Sequence, residues 1–192
     1  MDTLTTLSRD DEAARERLHS ASPEMIARTS AWSDINTGSW NTEGLRRFAP
    51  VLADAFSDLQ ADIDLIETGG FEAVSASGET EVQTTGPVIE ITGRPNADVQ
   101  VIMSGHYDTV FPPDTFEGVR DLGDGRLNGP GMADMKGGLC VMLEALKAFE
   151  AGPLRDRLGY RIVLTPDEEI GNFASAEYLT RAAKSGAMIG MT

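Results

Sequence analysis

An α/β fold, built on a mixed and mostly parallel sheet flanked by helices, is predicted by three features of this 192-residue chain. From residue 99 onward, apolar runs alternate with stretches of helical composition: Val99 to Ser104, Leu139 to Glu150, Tyr160 to Thr165, Ala174 to Lys184 and Ala187 to Met191. Strand, helix, strand, helix, strand is the pattern of parallel strands joined by right-handed crossovers. The runs at 99 and 160 are also dominated by apolar and β-branched residues, as in strands covered on both faces. Each of them then stops abruptly at a polar cluster, His106-Tyr107-Asp108 and Pro166-Asp167-Glu168-Glu169. Open α/β sheets keep their chemistry at such carboxyl ends.

Ahead of this core, residues 9 to 31 are rich in helix formers, with Ala13, Leu18, Met25 and Ile26 as candidate buried positions. Pro23 after Ser22 marks a break or a new start, so two short helices are expected, with His19 on a solvated face. The turn cluster Asp34 to Ser39 leads to Asn41 or Thr42 as the cap of a helix reaching about Leu59. Leu45, Phe48, Val51, Leu52, Ala55 and Phe56 form its apolar face. Ile63 to Thr68, Glu81 to Thr84 and Val88 to Thr92 read as strands, with Gly86-Pro87 between the last two, forming an antiparallel edge beside the strand at 99. Val110 to Gly131 is loop-like, with Pro112-Pro113 and a hairpin turn at Asp124-Gly125. A long excursion at a strand's carboxyl end lines a site. Gly129 to Gly138 opens the helix that Gly152-Pro153 stops.

Length suits one domain with a sizeable core, and 41% apolar with 24% charged residues is ordinary for a globular chain. With 31 acidic against 16 basic residues, the net charge of −15 repels nucleic acid and anionic membranes, so neither is expected as a partner. Cys140 is the only cysteine, which excludes an intrachain disulfide and any thiolate-based zinc or iron–sulfur site. A metal here must be held by histidine and carboxylates. Met1-Asp2-Thr3-Leu4 lacks a basic region followed by an apolar run, and no stretch approaches membrane-spanning length. A cytoplasmic location is the resulting expectation.

Three polar clusters therefore stand at or beside strand ends: His106 with Asp108, Asp134, and Glu168 with Glu169. Singly, each has an ordinary structural role: a loop hydrogen bond, a carboxylate at a helix N-terminus, a solvated acidic turn. Together they suit a metal such as zinc, manganese or cobalt. A ligating histidine needs its second nitrogen held, and Asp108 is close enough to His106 to do so. Two adjacent glutamates cannot face the same way, so one can bind metal while the other acts as a base. Gly129 to Gly138 is a poor phosphate loop, because Lys136 is followed by Gly137 and not by Ser or Thr.

Ser104-Gly105-His106-Tyr107-Asp108-Thr109-Val110, Gly129 to Gly138, and Thr165-Pro166-Asp167-Glu168-Glu169-Ile170-Gly171 together resemble the motifs, in order, of a known family. It is the zinc-dependent aminoacylase and carboxypeptidase family that includes glutamate carboxypeptidase, acetylornithine deacetylase and succinyl-diaminopimelate desuccinylase. The likeness runs from about Asp34 onward and looks closest to the glutamate carboxypeptidase branch. It implies a two-zinc site, with cobalt or manganese as alternative metals. His106 and Glu169 would each ligate one metal, Asp134 would bridge both, Glu168 would be the general base, and Asp108 would support His106.

The resemblance further implies that the peptide Asp134-Met135 is cis. The implied activity is hydrolysis of amide bonds in N-acyl amino acids or small peptides, with a free carboxylate on the leaving side and a metal-bridging water as nucleophile. The family's further acidic ligand, its final histidine, and its smaller lid and dimerisation domain do not occur in residues 1 to 192. The chain is thus expected to be the amino-terminal part of the catalytic domain, incomplete at its carboxyl end, of a full-length form that could be a homodimer. The alternative is a truncated, catalytically incompetent fragment acting at most as a metal-binding or interaction module.

Overall fold

A computed structural model describes residues 7–75, 77–187 and 189–191; Met1 to Leu4 and Met188, which figure in the sequence reading, lie outside the described residues. Helix α1 (Arg9–Ser33) begins at a capping box, in which Ser8 Oγ accepts from Asp11 N at 3.1 Å and Asp11 Oδ2 accepts from Ser8 N at 3.0 Å. It is one helix, not the two expected. Pro23 and His19, whose carbonyl loses its usual partner, are both exposed, so water can replace the missing bond. Ala13 and Ile26 are exposed as well, and the helix buries its last turn instead, through Thr29, Trp32 and Ser33. His19 is solvated, as expected.

Helix α2 (Thr42–Phe56) is capped by Asn41, whose Oδ1 accepts from Gly44 N at 3.1 Å. Leu45, Phe48, Leu52 and Phe56 recur at helical spacing and are fully buried, whereas Val51 falls on the outer side. Strands β1 (Asp62–Ile66), β2 (Phe71–Val74), β3 (Thr80–Gln83), β4 (Val88–Gly93) and β5 (Val99–His106) follow. The hairpin β6 (Arg120–Gly123) and β7 (Arg126–Asn128) turns at Asp124 and Gly125, which both adopt positive φ, +53° and +72°. Helix α3 (Gly137–Glu150), strand β8 (Leu158–Thr165), helix α4 (Ala176–Ala183) and strand β9 (Ile189–Met191) complete the alternation read from the sequence.

Five strands form one mixed sheet in the order β1-β4-β8-β5-β9. Pairings β1/β4 and β4/β8 are antiparallel, while β8/β5 and β5/β9 are parallel. The antiparallel edge therefore adjoins β8 and not β5 as expected, because β8 buries side chains on both faces and takes the central place. Tyr160, Ile162 and Leu164 point to the layer made by α1, α2 and α3, and Val163 points to the layer made by α4. β3 does not join this edge; with β2 it makes a separate two-stranded ribbon. Strand β9 runs parallel to β5 as expected, but Ile189 and Met191 are exposed and not buried. Among the described residues no helix is long and apolar enough to cross a membrane.

The main core cluster lies between the sheet and helices α1 to α3, and a smaller one of Val88, Val163, Tyr178 and Ala182 lies under α4. Leu52→Ala should lower unfolding stability by about 2–5 kcal/mol through the cavity it leaves. Val51→Ala, one position along but 40% exposed, should change it by less than about 0.5 kcal/mol. Denaturant titration of the two variants checks the assignment of the buried face, which equal losses would overturn.

Candidate metal centre

His106 is the last residue of β5 and lies opposite Thr165, the last residue of the parallel neighbour β8. This register sets the His106 side chain beside the loop that begins at Pro166. The strand also approaches the turn before α3 closely: His106 N donates to Met135 Sδ at 3.1 Å, and a Cβ on Gly105 would stand 2.9 Å from Leu139 Cδ2 and 3.1 Å from Met135 Cε. Only glycine at 105 allows the approach without displacing Leu139 and Met135.

Asp134 sits in the irregular turn Met132–Lys136, which leaves helical geometry at Asp134 and Met135. The peptide between these two residues is cis, as the motif resemblance implied. Gly131 enters the turn at φ +70°, and Lys136 N closes it by donating to Gly131 O at 2.8 Å. The Lys136 side chain is fully buried and donates from Nζ to Trp32 O at 3.0 Å and Ile35 O at 2.8 Å, the carbonyls at the end of α1. Its ammonium also lies 4.8 Å from the centre of the Phe48 ring. Burial lowers the Lys136 pKa to about 7, against a smaller opposing effect of Asp34.

Glu168 and Glu169 occupy a single helical turn, Glu168–Ile170, which ends at Gly171 in the left-handed region. Asp167 holds the loop from beneath. Fully buried, it accepts from Ala174 N at 2.7 Å and from Ser175 Oγ at 2.5 Å, and burial raises its pKa.

The three clusters meet. One ligand atom each from His106, Asp134 and Glu169 lies within 4.8 Å of the others, with His106 buried, Glu169 half-buried and Asp134 exposed. His106 Nε2 is 3.0 Å from Asp134 Oδ1 and 3.9 Å from Glu168 Oε2. On the other side of the ring, Nδ1 is 3.1 Å from the Asp108 carbonyl oxygen and 3.3 Å from Asp108 Oδ1. A ring so placed can donate Nδ1–H to Asp108 and turn the Nε2 lone pair toward the carboxylates.

Asp108 is fully buried, and its carboxylate also accepts from Glu168 N and Glu169 N, each at 3.1 Å, and from Ser39 Oγ at 2.8 Å. The residue read as an orienter of His106 thus also fixes the glutamate loop. Burial alone would lower the His106 pKa, but the hydrogen bond and charge of Asp108, followed by Asp134 and Glu168, lift it to about 9. Glu169 is raised by burial and by Asp134, Asp108 and Glu168, with His106 opposing. Carboxylates crowded round one imidazolium are a charge arrangement that a cation would relieve. The nitrogen and oxygen donors, with no thiolate, fit zinc, manganese or cobalt.

Every site residue read from the sequence is in this cluster. Three contributors went unread: Ser39, Asp167 and Lys136. For Lys136 a signal existed, since a lysine amid glycines stands out in a chain with only three lysines. Ser39 carries none, being one hydroxyl in a turn far from its partner.

Residues 102–192 match the sequence model of "Peptidase family M20/M25/M40", the span that contains all five candidate side chains. Carboxypeptidase G2 of Pseudomonas sp. (strain RS-16) is 29% identical over 168 residues, covering 84% of this chain and 36% of the relative. Among solved structures, human carnosine dipeptidase 1 shares the fold with a TM-score of 0.76 at 21% identity, over 94% of this chain and 40% of the other. An M20 family metallo-carboxypeptidase from Sulfolobus solfataricus gives 0.65 at 20% identity, over 88% and 37%. The chain therefore spans well under half the length of these relatives. The span that holds the three motifs is thus similar in sequence to peptidase family M20/M25/M40, and the α/β fold is shared with these solved structures.

Proposed function

We propose that this chain carries the metal-binding part of a metal-dependent hydrolase that cleaves amide bonds in small peptides or N-acyl amino acids. The observation that carries the reading is the meeting of His106, Asp134 and Glu169 within 4.8 Å, beside a buried Asp108 that engages His106 Nδ1. In this reading His106, Glu169 and a shared Asp134 hold two zinc ions, with cobalt or manganese as substitutes. Metal ions bound there would lower the proton affinity of a water and polarise the amide carbonyl.

The chain's own residues do the rest. Asp108 keeps the proton on Nδ1 and Nε2 free to donate its lone pair. Glu168 has a half-exposed side chain and touches His106 only at 3.9 Å, so its carboxylate is available to accept the proton from the attacking water. It then returns that proton to the amine nitrogen as the carbon–nitrogen bond breaks. The names of the relatives, a carboxypeptidase and a dipeptidase, support peptide substrates. Three side-chain donors are fewer than two four-coordinate ions need, so the reading takes further donors from outside residues 1–192. The same count supports the second reading, a module that binds metal without turnover.

Zinc analysis of purified variants tests the ligand set. His106→Ala and Asp134→Ala should lose bound zinc outright, while Asp108→Ala should weaken affinity by roughly 10- to 100-fold. Equal zinc content in all three would refute the set.

In a chain extended by the remaining family segments, Glu168→Gln should keep its metal and lower kcat by roughly 10² to 10⁴. Wild-type turnover in that variant would remove Glu168 from the chemistry.

The third test is pH. Because His106 is raised from 6.5 to about 9 in the metal-free chain, its imidazolium stabilises the fold fully below 6.5, and that contribution is lost as pH rises through about 9. Metal must displace the same proton, so zinc affinity should climb across this window and then level off. A zinc titration series that stays flat across it contradicts His106 as a ligand.

A further inference from the structure

Beside Glu169 lies a cavity of about 410 Å³, within the size range of small-molecule sites. It forms where the turn at Gly38 runs against the segment after His106. Thr109 N donates to Thr37 O at 2.9 Å and Ser39 N to Thr109 O at 3.0 Å, and a Cβ on Gly38 would stand 2.4 Å from Phe111 O. Trp40, Val110, Pro112, Pro113 and Ile170 supply its apolar walls.

The polar side chains of the lining already have partners. Ser39 Oγ donates to Asp108 Oδ2 at 2.8 Å, and Asn41 bonds Gly44 N and Asn36 Oδ1 at 3.1 and 2.9 Å. Thr109 Oγ1 accepts from Phe111 N at 3.4 Å. Glu169 is the one charged group among the described lining residues. What remains to meet a ligand is apolar surface with a carboxylate at the metal end.

Trp40 is the largest of these surfaces and is 61% exposed. Its ring centre is 6.4 Å from that of Phe71, which stacks on Phe173 at 5.7 Å with planes 18° apart. An exposed indole braced by neighbouring rings surrenders little freedom when a ligand covers it.

We propose that this cavity is a substrate subsite for an uncharged apolar group, aromatic by preference, carried beside the bond to be cut. The proposal rests on the metal-centre reading above, since Glu169 belongs to both. A carboxylate placed here would face Glu169 in a chain of net charge −15, with no lining cation to hold it. The substrate's free carboxylate is therefore bound elsewhere, and this cavity selects by shape and apolar contact.

The test uses hydroxamates, which share one metal-chelating head and differ in what they present to the cavity. Zinc content of the chain is measured first, by elemental analysis. The zinc-loaded chain is then titrated by calorimetry with acetohydroxamate, phenylacetohydroxamate and the monohydroxamate of succinic acid. The phenyl probe should bind about tenfold or more tightly than acetohydroxamate, the scale expected when a ring is buried on apolar surface, and the succinic probe should gain nothing.

Trp40→Ala should erase the phenyl gain while leaving zinc content and acetohydroxamate affinity unchanged, and Trp40→Phe should restore most of it. Val110→Asp should also erase the gain. Saturable quenching of Trp40 emission by the phenyl probe, absent in Trp40→Phe where Trp32 is the only remaining tryptophan, should place the ring at the indole. Equal affinities for the phenyl and acetyl probes, tightest binding by the succinic probe, or a gain that survives Trp40→Ala would overturn the subsite and leave the metal centre standing. Failure to take up zinc, in this chain and in the extended one alike, would overturn the metal centre and the subsite with it.

Discussion

One buried carboxylate, that of Asp108, joins the segments that make the site. It faces His106 Nδ1 at the end of β5, receives the Glu168 and Glu169 amides after β8, and receives Ser39 Oγ from the turn before α2. Burying an ionised carboxylate is unfavourable unless charge-assisted hydrogen bonds surround it, and here four donors from three parts of the chain do so. The dependence runs both ways. Without Asp108 the Glu168 and Glu169 amides would lose their acceptor, each at a penalty of roughly 1–3 kcal/mol where it stays buried, while Ser39 Oγ would keep only the Thr109 carbonyl at 3.2 Å. Position 108 therefore orders both the local chain and the candidate metal ligands by the same contacts.

The sheet separates two duties. Its antiparallel side, β1 and β4, contributes core residues such as Ile89 and Ile91. The parallel pair β5 and β8 contributes strand ends that finish level, His106 beside Thr165. Level ends set a histidine from one loop and glutamates from the next within reach of one cation, and the turn before α3 brings Asp134 to meet them. Parallel pairing, not proximity in sequence, assembles donors that lie 28 and more residues apart.

Much of this was legible because each local signal had a local cause. Asp124-Gly125 marks its hairpin through residues that tolerate positive φ, and Gly152-Pro153 ends α3 close to where it stops. His106, Asp108, Glu168 and Glu169 were legible because they stand where apolar runs end, and Asp134 because it sits in a glycine-rich turn that opens a helix. Pro23 misled for the converse reason: its effect depends on whether water reaches the freed carbonyl, which only the fold decides. The neighbour of β4 could not be read, since alternation tells which face a residue takes but not which strand lies beside it. Ribbon strand β2 and Trp40 left no periodic trace, being an exposed edge and a single aromatic in a turn.

The Lys136 ammonium bonds the last carbonyls of α1 from within the turn that carries Asp134. A 25-residue helix and the turn that carries Asp134 thereby form one mechanical unit. Lys136 supplies the positive charge that the end of α1 favours, since the helix has no basic residue in its own last turn. Opening the turn would strip two carbonyls of their donor at once, so the Asp134 turn and the end of α1 are held by the same contacts. Amide protons of the turn and of the end of α1 should then exchange with solvent as a single cooperative group, and rigidity at Asp134 would be borrowed from the longest helix among the described residues.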